Sequence, residues 1–117
     1  MAVHFHTDAP KALLAKFNAA IQQNEPKGKV DTWKFSEDGN YYTHSAERWT
    51  KKAWFKPSTT DKLLTFNIIK PKDRNVTSPV YAYYHGHLIE TFLNHFDTDF
   101  TSAAATALPA AGDLCSS

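Results

Sequence analysis

The sequence predicts an α+β domain of two layers, with two helices covering one face of a four-stranded antiparallel meander. Three observations carry that expectation. Apolar residues recur at helical spacing towards both ends of the chain, they alternate between positions 30 and 70, and turn-forming clusters separate the alternating runs. The 117 residues fit one domain, which can bury enough surface on folding to need no covalent staple. Apolar residues, aromatics included, make up 42% of the chain and charged ones 21%, the reverse of a disordered composition.

The first helix is expected over residues 8–24. Asp8 or Thr7 offers a cap, Pro10 fits the first turn, and Leu13, Leu14, Phe17, Ala20 and Ile21 fall on one stripe. The cluster Asn24-Glu25-Pro26-Lys27-Gly28 ends it. Trp33 and Phe35 then alternate with Thr32, Lys34 and Ser36, the pattern of a half-buried strand. Glu37-Asp38-Gly39-Asn40 is a turn, and Tyr41–Ala46 reads as the second strand. Arg48–Lys56 reads as the third, stopped by Pro57-Ser58-Thr59-Thr60. Asp61–Ile69 is the fourth, with Leu64, Phe66 and Ile68 on one face.

Ser78-Pro79 is a start signal for a second, longer helix running to about Phe96. Its Val80, Tyr81, Tyr84, Leu88, Phe92 and Phe96 share a face. The domain is expected to span 1–102. Residues 103–117 read as a flexible alanine-rich tail, forming a short helix before mobile terminal residues. The expected core is Leu13, Phe17, Ile21, Trp33, Phe35, Phe55, Leu64, Phe66, Ile68, Leu88, Phe92 and Phe96. Frataxin-like and double-stranded-RNA-binding domains have a similar order of elements. The similarity stops there: the first helix carries Lys11 and Lys16 instead of an acidic ridge, and the second lacks a glycine- and lysine-rich start.

Net charge is only +1, but its distribution is uneven. From Arg48 to Arg74 eight basic residues face Asp61 and Asp73, whereas the rest of the chain holds five basic and ten acidic residues. Such a dipolar surface steers encounters with charged partners. Along the third strand Lys52, Trp54 and Lys56 point one way and Lys51, Ala53 and Phe55 the other. With Phe55 turned to the helices, Trp54 lies on the uncovered face, which Lys34, Tyr41, Thr43, Thr65 and Asn67 share. A ring flanked by ammonium groups suits single-stranded nucleic acid, the ring stacking on a base and the lysines meeting phosphates. The same lysines would also serve a merely solvated face that resists edge pairing.

Other chemistries find little support. Cys115 is the lone cysteine, so the chain can form neither an internal disulfide nor a thiolate cluster. The first residues lack the pattern of a signal peptide, and no stretch is apolar enough to span a bilayer, so a soluble cytoplasmic protein is expected. His4 and His6 project from one side of an extended segment but have no evident third ligand. His85 and His87 diverge by about 200° on a helix. No metal site, cofactor or catalytic set is expected.

The expectation is therefore a non-catalytic binding or regulatory module that meets an anionic partner, single-stranded nucleic acid or an acidic protein surface. Lys34, Arg48, Lys52, Trp54 and Lys56 are its candidate contacts. One alternative is a small enzyme or ligand-binding protein, with a pocket between the last long helix and the sheet lined by Tyr81, Tyr84 and His85. Another is a homodimer joined through an open sheet face or edge, anchored by Trp54 and Leu63.

Overall fold

The structure, a computed structural model, describes residues 1–116. Its elements are β1 (Val3–His6), α1 (Pro10–Gln22), β2 (Trp33–Phe35), β3 (Tyr42–His44), β4 (Trp54–Thr60), β5 (Leu63–Ile69), α2 (Ser78–Phe96) and β6 (Ser102–Ala105). Both helices begin at the proline signals the sequence carries, with proline in the first helical turn where its missing N–H costs nothing. The two-helix, antiparallel α+β architecture is as expected.

The sheet, however, has six strands rather than four, in the order β2-β3-β4-β5-β1-β6 with every neighbouring pair antiparallel. The meander β2–β5 is present, and the two ends of the chain extend it. β1 lies beside β5, pairing Val3 with Phe66 and Phe5 with Leu64. β6 lies beside β1, pairing Phe5 with Ala103 and Val3 with Ala105. Position 103 thus falls inside a strand, not at the start of a helical tail. Alanine prefers helix in isolation, but here the ladder offered by β1 decides the conformation.

The third strand is also displaced. Residues 46–52 form tight turns, with the amides of Trp49 and Thr50 bonded to the Ala46 carbonyl and Lys51 at φ 60. The strand starts at Trp54 and continues through Pro57, which pairs with Phe66. Proline is tolerated because β3 pairs with β4 only at Tyr42–Phe55, so beyond that point one side of β4 is an edge.

Both helices pack on one face of the sheet. Phe17 of α1 and Phe92 of α2 lie 4.9 Å apart between ring centroids, and each meets Phe66 of β5 at 5.8 and 5.7 Å. Trp33 donates its indole N–H to Thr91 Oγ1 at 3.0 Å, tying the β2 edge to α2. Ten of the twelve expected core residues are buried, whereas Ile21 and Phe35 are partly exposed at the margin. Val3, Phe5, Tyr42 and Tyr84 complete the core.

The chain then returns to the sheet. Asp113, whose side chain is fully buried, accepts hydrogen bonds from Asn67 Nδ2 at 2.7 Å, the Ile68 amide at 3.1 Å and the Ala110 amide at 2.8 Å. Leu114 forms a parallel bridge to Ile69. Gly112 makes the approach feasible: it has φ 94, and a Cβ there would sit 2.8 Å from Asn67 Oδ1.

Candidate groove on the open sheet face

Strand alternation assigns every side chain of the sheet to one of two faces. Phe55, Leu64, Phe66 and Ile68 point to the helices and are fully buried. Trp54, Lys56, Thr65, Asn67 and Ile69 point the other way, joined by His4 and His6 of β1. Asn67 is buried on that side by the returning C-terminal segment, through hydrogen bonds to the Ala111 carbonyl and Asp113. Trp54 remains half-buried and Lys56 exposed.

Beside this face lies a groove of about 1060 Å³. Trp54, Ile69 and Leu114 form its apolar part, with Tyr41 and Phe35 on the β2–β3 side. Five cationic residues line it (Lys34, Lys51, Lys70, Lys72 and Arg74) against Glu37, Asp38 and Asp73. Two of those carboxylates are already engaged. Asp38 accepts hydrogen bonds from the Ser36 hydroxyl at 2.5 Å and the Asn40 amide at 2.9 Å, which hold its carboxyl below the usual range. Asp73 pairs with Arg74 at 3.3 Å, which lowers its carboxyl likewise. Among the described residues, Lys34, Lys51, Lys56 and Lys72 form no ion pair within 4.0 Å.

Of the sequence-predicted contacts, Lys34 and Trp54 line the groove, and Lys56 stands two positions from Trp54 on the same face of β4. Lys52 is half-buried at the end of the turn and does not line it. Arg48 goes elsewhere, its guanidinium stacked 5.6 Å over the Trp49 ring. The displaced third strand explains both, because residues 48–52 turn instead of alternating. Lys51, Lys70, Lys72 and Arg74 were legible only as net charge, since nothing local says that two separate loops converge on one groove. Leu63, half-buried, pairs with His6 and Thr60 at the far end of β5 from Trp54.

Tyr81, Tyr84 and His85 lie on α2, with the Tyr81 ring 5.5 Å from that of His85. The Tyr84 hydroxyl donates to the Trp49 carbonyl and lies 3.1 Å from Thr43 Oγ1, and burial raises its pKa. The His85 ring contacts the carbonyls of Tyr81 and Met1, and burial pushes its pKa down. Both side chains tie α2 to the turn and to the start of β1.

Sequence reading missed a stacked cluster at the other edge of α2. Trp49 stacks on Tyr83 and Tyr83 on His87, each at 3.9 Å. His87 Nδ1 lies 3.2 Å from His44 Nε2. The Ala46 amide donates to His44 Nδ1 at 3.0 Å, so a neutral His44 carries its proton on Nε2 and donates it to His87. Burial first, and then the neighbouring imidazole, lower the His44 pKa to about 4. Among the described residues no group of three or more His, Cys, Asp or Glu side chains could hold a metal ion. No helix is long and apolar enough to cross a membrane.

Fold and groove together define a two-layer α+β domain whose sheet has one covered and one open face. Comparison with protein-family models, curated proteins and solved structures gave no significant match.

Proposed function

We propose that the chain is a non-catalytic binding module whose open sheet face and adjoining groove hold an extended polyanion, single-stranded nucleic acid being the class that fits best. The observation that carries this reading is Trp54. It is a half-exposed indole in a groove lined by Lys34, Lys51, Lys70, Lys72 and Arg74. A base stacked on such a ring contributes about 1–3 kcal/mol, and the ammonium groups meet the flanking phosphates. Lys56, Thr65, His4 and His6 continue the polar track across the sheet. An acidic protein segment would satisfy the cations but would leave the indole without a stacking partner.

The test is binding of a fluorescent mixed-sequence single-stranded oligonucleotide across a salt series. Affinity should fall with salt at a logarithmic slope of about −0.7 for each phosphate neutralised. Lys34→Ala and Lys56→Ala should each make that slope shallower without unfolding the chain. Binding of an acidic peptide with equal affinity, or no oligonucleotide binding at low salt, would overturn the reading.

A further inference from the structure

We propose that His44 and His87 form an acid-operated latch on the turn at residues 46–52. While both rings are neutral they fasten that turn to α2, and a proton added to either ring releases its Trp49 end. The hydrogen bonds dictate this. The Ala46 amide can only donate, so the lone pair of His44 Nδ1 is committed to it at 3.0 Å. The ring proton of His44 is thereby fixed on Nε2, and His87 Nδ1, 3.2 Å away, must present its lone pair. A second proton on His44 has only Nδ1 to occupy, where it would face the Ala46 N–H. A second proton on His87 has only Nδ1 as well, where it would face the His44 N–H. Each addition sets two donors against each other, so the latch exists in one protonation state alone.

Both rings lead to the same turn. The Ala46 carbonyl accepts from the amides of Trp49 and Thr50, so His44 grips the turn at its start. His87 grips it further along, through Tyr83 stacked on it at 3.9 Å and Trp49 stacked on Tyr83 at 3.9 Å. The Tyr84 hydroxyl donates to the Trp49 carbonyl independently of the pair, so the backbone there is a pivot about which the indole swings. Lys51 of the same turn lines the groove, yet the latch does not depend on what the groove binds.

The surroundings offer an added proton little. Trp33 covers His44 from β2, at 5.2 Å between ring centroids, and Tyr83 and Tyr84 cover it from α2. The charged residues nearest along the chain are Asp31 ahead of β2, whose carbonyl accepts from the Ser45 hydroxyl, Glu47 and Arg48 in the turn, and Glu90 beyond His87 on α2. Arg48 is turned to the Trp49 ring. Among the described residues no carboxylate lies within 4.0 Å of a ring nitrogen of either histidine. Burial, and then the neighbouring imidazole, lower the His44 pKa from 6.5 to about 4. The latch is therefore closed above about pH 6.5 and is lost as pH falls towards 4.

Heteronuclear NMR of the imidazole nitrogens of the full chain tests this over a series from about pH 7.5 to about pH 4. At the upper end the ring shifts should show His44 protonated on Nε2 and His87 bare at Nδ1. On acidification the Trp49 indole signal should move as that pattern is lost, while the amides of Phe66 and Leu88 keep their native shifts. His87→Asn sets a carbonyl oxygen, an acceptor that takes no proton, where Nδ1 stood. It should carry the acid response of Trp49 about one pH unit lower. His44 protonated on Nδ1 at neutral pH, a Trp49 signal that moves only with global unfolding, or an unchanged midpoint in His87→Asn would overturn the proposal.

Discussion

The two faces of this sheet are built from the same strands, one residue apart, yet follow opposite rules. Towards the helices stand Phe5, Phe55, Leu64, Phe66 and Ile68, all fully buried, with the Phe5 and Phe55 rings edge-on to that of Phe66. Towards solvent stand His4, His6, Lys56, Thr65 and Trp54. The covered face supplies stability through apolar area removed from water. The open face is free of that duty, so its charge and the Trp54 ring can serve a partner. Mutations should therefore separate the faces: changes on the first alter stability, and changes on the second alter binding.

The largest effect is expected from Phe66→Ala, which empties the centre of the aromatic cluster and should cost about 3–5 kcal/mol in a urea unfolding series. Asp113→Ala comes next, at about 2–4 kcal/mol. It takes the side-chain acceptor from the Ile68 and Ala110 amides, leaves the Asn67 amide with the Ala111 carbonyl alone, and loosens the segment that places Leu114 in the groove. This variant sharpens the comparison, because it acts where the tail makes one part of the open face into core.

Acidification probes the covered side. The folded pKa of His44, about 4, lies below its ordinary 6.5, so the unfolded chain binds the extra proton first. Its stabilising contribution is full above about pH 6.5 and is lost as pH falls towards 4, by on the order of 2–3 kcal/mol. Burial shifts His85 in the same direction. Denaturation midpoints at about pH 7.5 and about pH 4.5 should show the drop, and His44→Phe should reduce it. The smallest effect is Lys56→Ala, expected to change stability by less than about 0.5 kcal/mol while weakening oligonucleotide binding. A large loss of stability there would break the division between the faces.

Period-two alternation made the covered face of β5 legible, and the prolines located both helices, whereas the expected caps at Asp8 or Thr7 and at Ser78 give way to Ala9 and Thr77, neither of which makes a side-chain cap hydrogen bond. What escaped was set by tertiary pairing. His4 and His6 disguise β1 as a polar terminus, and only the ladder to Leu63–Phe66 makes it a strand. Ala103–Ala105 carry a helical propensity that the β1 edge overrides. Pro57 read as a stop because the end of β3 pairing, which frees one side of β4, cannot be seen locally. The candidate site was legible at Trp54, Lys34 and Lys56. The placement of Arg48 and Lys52 failed along with the third strand, and in the stack of Trp49, Tyr83 and His87 the i, i+4 pair Tyr83–His87 is local to α2 whereas nothing local brings Trp49 to it.

Trp54 offers the most direct measurement. Trp33 is buried and Trp49 is stacked on Tyr83, so a base entering the groove should quench Trp54 selectively. Titration with a mixed-sequence single-stranded oligonucleotide at low and moderate salt should give quenching that weakens with salt and vanishes in Trp54→Phe. Quenching that persists in Trp54→Phe, or none in the wild-type chain at low salt, would contradict the assignment of the open face as a nucleic-acid platform.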